Sequence, residues 1–143
     1  SFEIRERPCH MLAKTTPLLV TLDFLHHYAT QAAAKAYCDL DPYDPTVWQI
    51  MAQCLAQMDN TEGAFAALMI FKSLNDTEVD LSQQDPSAAT GDAKAAYDTM
   101  GKPDRAFTYQ EAESGNQVNT WFWPAKKMAI SFMLGQKQGE MGW

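Results

Sequence analysis

Cysteines, basic residues and long apolar runs are all scarce in this chain of 143 residues, and each scarcity removes a class of function. The three cysteines, Cys9, Cys38 and Cys54, stand far apart with no CxxC pair, so neither a disulfide framework nor a cysteine zinc site is expected. Sparse, odd thiols fit a reducing, cytosol-like compartment, and cytoplasmic is the expected location. The chain does not begin with Met, which leaves a removed leader open. Lys and Arg number 11 against 18 Asp and Glu, for a net charge of −7. That balance argues against nucleic acid, whose non-specific affinity comes from phosphate neutralisation. It argues equally against anionic membrane surfaces and favours basic partners. The longest apolar stretch, around PLLVTLDFL, is broken by Thr21 and Asp23. It is too short to span a bilayer, so no membrane insertion is expected, and no signal-peptide pattern opens the chain.

Catalytic motifs are also missing. No GxSxG, P-loop, GxGxxG or HExxH pattern occurs, which leaves hydrolytic or nucleotide-dependent chemistry without a residue to rest on. Glu111 and Glu113 lie two apart and would diverge on a helix. Asp39, Asp41 and Asp44 suggest a cation loop, but Pro42 and Pro45 stand inside it and no closing glutamate follows, so they read as turn and capping residues. His26 and His27 are adjacent and point about 100° apart on a helix, which prevents chelation from that helix in the usual i, i+4 manner. A site assembled from His10, His26 and Cys38 is the one route to a metal- or cofactor-dependent enzyme. Without zinc spacing it is the weakest reading, and no enzyme activity, cofactor or metal is expected.

What the chain does have is helical periodicity. After an irregular lead-in over 1–16, Leu18, Leu22, Leu25, Ala29, Ala32, Ala36 and Leu40 predict one long helix over about 17–39, stopped by the prolines of DLDPYDP. Asp44–Pro45 is a second start signal. Val47, Ile50, Met51, Cys54 and Met58, widened by Trp48, Ala52 and Leu55, predict a helix packed on more than one side. MDNT reads as the turn and Thr61 as the cap of a further helix running to about 74. Residues 75–90, acidic and poor in large hydrophobes, predict a loop or insertion. A third hairpin is expected from Ala93, Ala96, Tyr97 and Met100 through GKPD to Ala106, Phe107 and Tyr109. TWFWPAKKMAISFML, with Thr120 as cap, is expected as a last helix ending at Gly135. The whole is then one all-α domain, 1–143, of about seven helices.

The turns MDNTEGA, MGKPDRA and LGQKQGE support a repeat. Gly101 and Gly135 are 34 residues apart, and Asp59 and Gly101 are 42 apart, the excess of eight being absorbed by 75–90. Trp48, Met51, Ala52 and Leu55, with Ala64, Leu68 and Phe71, fall on the signature positions of a 34-residue helix–turn–helix unit. The segment 45–78 resembles a tetratricopeptide repeat, and the resemblance extends less closely over 79–143. It departs at Pro124, which stands where an aromatic belongs. The resemblance implies antiparallel hairpins stacked as a right-handed array behind a long N-terminal helix, against an irregular helical bundle as the alternative. It also implies a groove for an extended or helical peptide.

By that resemblance Gln49, Gln53 and Gln57, at i, i+4, i+8, would face the groove and bond a peptide backbone. Their other reading is a solvated stripe. Trp121, Phe122 and Trp123, with Met128 and Met133, form an aromatic, Met-rich end of the kind that anchors protein interfaces or fills a core. The expected function is a non-enzymatic scaffold or adaptor that binds a protein or peptide, with a preference for basic partners. The alternative is a structural helical subunit, in a homo-oligomer or larger assembly, whose apolar end is docked on another chain.

Overall fold

The structure is a computed structural model that describes residues 16–143. Its helices are α1 (Thr16–Cys38), α2 (Pro45–Gln57), α3 (Thr61–Leu74) and α4 (Gly91–Met100). Its strands are β1 (Thr77–Val79), β2 (Arg105–Gln110), β3 (Gln117–Trp123), β4 (Met128–Met133) and β5 (Gln136–Gly142). None of the described helices is long and apolar enough to cross a membrane.

The first half follows its local signals. Asp44 caps α2 by accepting from the Thr46 N–H at 2.9 Å, and Pro45 occupies the first turn, where its missing N–H costs nothing. Asn60, one residue before the expected Thr61, caps α3 by accepting from the Gly63 N–H at 2.9 Å. Asp59 takes the left-handed turn position at φ 59°, which a short polar side chain tolerates. The predicted α2–α3 hairpin is therefore present.

The second half corrects the all-α prediction. From Arg105 onward the chain forms an antiparallel meander, and β1 completes a five-stranded sheet of order β1-β2-β3-β4-β5. Neither a third helical hairpin nor a last helix exists over 105–143, so there is no stacked helical array and no helical-bundle alternative. The physical reason lies in the two faces of β3. Phe122 points to one side and Trp121 and Trp123 to the other, and both sides are covered. A strand buried on both faces reads as an unbroken apolar run, which periodicity alone does not separate from a buried helix.

α3 lies across one face of the sheet, with α2 and then α1 stacked outward from it. The core between them joins Trp48, Met51, Ala66, Ala67 and Ile70 to Phe107, Phe122, Ala129 and Met141. Trp48 is fully buried and donates its Nε1–H to the Pro42 carbonyl at 2.7 Å. Its ring meets Phe122 and Trp143 edge to face, with centroids 6.4 and 5.8 Å away, an arrangement favoured by the ring quadrupoles. β5 passes so close under α3 that a Cβ on Gly139 would sit 3.0 Å from Ala66 Cβ and 3.2 Å from Ala66 Cα. On the opposite face α4 covers Ala106, Trp121, Trp123, Ile130 and Phe132 with Ala93, Ala96, Tyr97 and Met100. At the centre a hydroxyl chain crosses from helix to sheet. Ser73 Oγ lies 2.8 Å from Thr120 Oγ1, which lies 2.7 Å from Ser131 Oγ, and all three residues are buried.

Candidate binding groove

α1 and α2 pack against each other, joined by the short loop 39–44. Only Ala34 and Cys38 of the described α1 side chains are buried hydrophobics. Beside that contact the helices leave a groove of about 370 Å³, walled by Ala33, Ala34 and Tyr37 of α1 and by Thr46, Val47 and Ile50 of α2. Tyr37 and Ile50 remain 43% and 38% exposed at its lips, and Leu40, just beyond α1, is 82% exposed.

The loop gives one end of the groove an acidic rim. Tyr37 Oη donates to Asp44 Oδ2 at 3.1 Å, while the other oxygen of Asp44 holds the α2 cap. That hydrogen bond, together with the charge of Asp44, raises the Tyr37 pKa, so the phenol stays protonated. Asp41 accepts from the Tyr43 N–H at 3.1 Å, and Asp39 is paired with Lys127 at 3.1 Å. Of these carboxylates Asp44 lines the groove, while Asp39 and Asp41 stand in the adjoining loop, where Lys127, Lys35 and Arg105 offset part of their charge.

The two described cysteines offer no nucleophile. Burial pushes the Cys38 thiol up to about 12, with Asp39 adding to the effect, and burial raises Cys54 as well. Thiolate, not thiol, is the reactive species. His26 and His27 stack edge to face at 5.4 Å. Among the described residues no group of three His, Cys, Asp or Glu could hold a metal ion. Cys9 and His10 lie outside the described residues.

Gln49, Gln53 and Gln57 are all exposed on α2. At about 100° per residue, Gln53 and Gln57 fall about 20° to either side of Thr46, and Gln49 about 60° away. None of the three lines the groove itself; Gln53 and Gln57 lie on the Thr46 side of α2, and Gln49 is turned further from it. The aromatic end is placed differently. Trp121, Phe122 and Trp123 are 8%, 0% and 4% exposed and are covered within the chain by α3 on one side and α4 on the other, while Met128 and Met133 are half-buried in β4. The three aromatic rings are thus core side chains, while Met128 and Met133 keep part of their surface exposed.

Several interacting side chains carried no sequence signal. Arg105 lies 4.3 Å from the Tyr43 ring centroid and 5.0 Å from that of Phe107, and grips Glu78 with two hydrogen bonds of 2.8 and 2.7 Å. It ties Tyr43 of the 39–44 loop to the sheet. The partners are up to 62 residues apart in sequence, and only the fold unites them.

No family model, curated protein or solved structure matches the chain.

Proposed function

We propose that the chain is a non-enzymatic binding module that holds a segment of a partner protein in the groove between α1 and α2. One observation carries the reading: an apolar groove, lipped by exposed Tyr37 and Ile50, ends at an acidic rim. Apolar anchors of the partner pack against Ala33, Val47 and Ile50. A lysine or arginine beside those anchors meets Asp41 and Asp44, and the net charge of −7 steers basic segments toward the site. Gln53 and Gln57 supply amide hydrogen bonds from the Thr46 side of α2.

A peptide-display selection tests this, run on wild type, on Ile50→Glu and on Gln53→Ala/Gln57→Ala, with circular dichroism confirming the fold of each. The expected outcome is enrichment on wild type of peptides combining two or more apolar anchors with a basic residue. Ile50→Glu should lose that enrichment and the glutamine pair should weaken it. Enrichment unchanged by Ile50→Glu, or no enrichment on wild type, refutes the proposal.

A further inference from the structure

A second cavity, of about 490 Å³, opens between α3 and the turn joining β2 to β3, and shares no residue with the groove. Its helix wall is apolar at Phe65, Leu68 and Met69, and Phe65 is 61% exposed. The same cavity is lined by charges of both signs, Lys72 against Glu111 and Glu113. Lys72 Nζ sits 5.8 Å from the Tyr109 ring centroid, and among the described residues no ion pair joins it to Glu111 or Glu113. The Glu111 carboxylate accepts a hydrogen bond from Ser114 Oγ at 2.7 Å, and the Glu113 carboxylate and Tyr109 hydroxyl make none within the described residues. Burial and the nearby Glu111 raise the Tyr109 pKa, which keeps its hydroxyl a donor.

We propose that this cavity binds a free α-amino acid with an apolar side chain. Lys72 and the Tyr109 hydroxyl take its carboxylate, Glu113 and Glu111 its ammonium, and Phe65, Leu68 and Met69 its side chain. Charge complementarity selects the zwitterion. A simple carboxylate would meet the repulsion of two glutamates, and a simple amine that of Lys72.

The test is an NMR titration of the full chain with L-leucine and L-phenylalanine, alongside N-acetyl-L-leucine and L-leucinamide. Saturable shifts at Lys72, Tyr109 and Glu113 are expected, with a dissociation constant of ~1 mM or tighter. Each blocked derivative should bind about tenfold more weakly or worse, as expected for loss of a charge-assisted hydrogen bond. Lys72→Gln and Glu113→Gln, both at exposed positions, should abolish the shifts without changing the circular dichroism. Absence of saturable shifts overturns the proposal. So does equal binding of N-acetyl-leucine, which would mark a carboxylate site, or of leucinamide, which would mark an amine or peptide N-terminus site. If either variant failed to fold, the derivatives on wild type would still decide.

Discussion

Thr120→Val exchanges the middle member of the buried hydroxyl chain for a side chain of the same shape. Thr120 Oγ1 lies within hydrogen-bond distance of both Ser73 Oγ and Ser131 Oγ, and none of the three residues is more than 1% exposed. Its loss leaves the Ser73 and Ser131 hydroxyls buried and without their shared partner. A buried polar group that loses its partner costs about 1–3 kcal/mol. Ser73 sits in α3 and can turn its hydroxyl to a carbonyl of its own helix, whereas Ser131 in β4 has no such local alternative. The expected loss is therefore about 2 kcal/mol, with most of it belonging to Ser131. The triple variant Ser73→Ala/Thr120→Val/Ser131→Ala removes every orphan and should return to within about 1 kcal/mol of wild type. Urea unfolding followed by circular dichroism and tryptophan fluorescence reads both differences as shifts in midpoint at constant slope. A neutral Thr120→Val, or a triple variant that costs at least as much as the single, would contradict the contact between α3 and the middle of the sheet.

Gly139→Val should destabilise by about 1–3 kcal/mol, because its side chain meets not only the Met69 methyl, which can move aside, but also the Cα and Cβ of Ala66, which cannot; thermal unfolding checks this. Gly135→Ala should cost about 1 kcal/mol or more in the same assay, since residue 135 has φ 78° and a Cβ there would lie 2.7 Å from the Thr90 carbonyl oxygen. Burial raises the Cys38 thiol from 9.0 to about 12, so its folded-state value lies above the unfolded one. The stability linked to that thiol is complete below pH 9.0 and is lost as pH climbs toward about 12; denaturant unfolding across that window should show a shallower decline for Cys38→Ala. Glu78 is held below its usual 4.5 mainly by its hydrogen bonds to Arg105. The stability it contributes is present above 4.5 and is lost as pH falls through the lowered folded value, and Glu78→Gln should remove that part of the acid slope in a pH-unfolding series.

Local chemistry made the helices over 16–74 legible. Pro45 and Asp44 mark the start of α2 without reference to anything distant, and the apolar spacing of Val47, Met51, Cys54 and Leu55 matches the face that is buried. LGQKQGE resembles a helical turn, yet Leu134 and Gly135 form the tight link between β4 and β5, and Gly139 is the point where α3 presses on the sheet. Pro124 was the sharpest clue against a last helix, because Pro inside a helix removes a hydrogen bond and clashes with the preceding turn. It instead opens the short 3₁₀ turn Pro124–Lys126 between β3 and β4. The β-branched and aromatic content of QVNTWFW also favours a strand, but its burial on both faces hides the alternation. The groove was half legible. The glutamine stripe showed an exposed flank of α2, whereas Tyr37 and Ile50 became its lips only through the placement of α1 by the 39–44 loop.

A partner segment that binds must leave its mark on the groove. Methyl and amide NMR of the full chain, titrated with the peptide most enriched on wild type, measures where it sits. Shifts concentrated at Ala33, Tyr37, Val47, Ile50, Gln53 and Gln57 are the predicted result. Saturable shifts confined to β5, α4 or the cavity beside Lys72, with the groove silent, would contradict it.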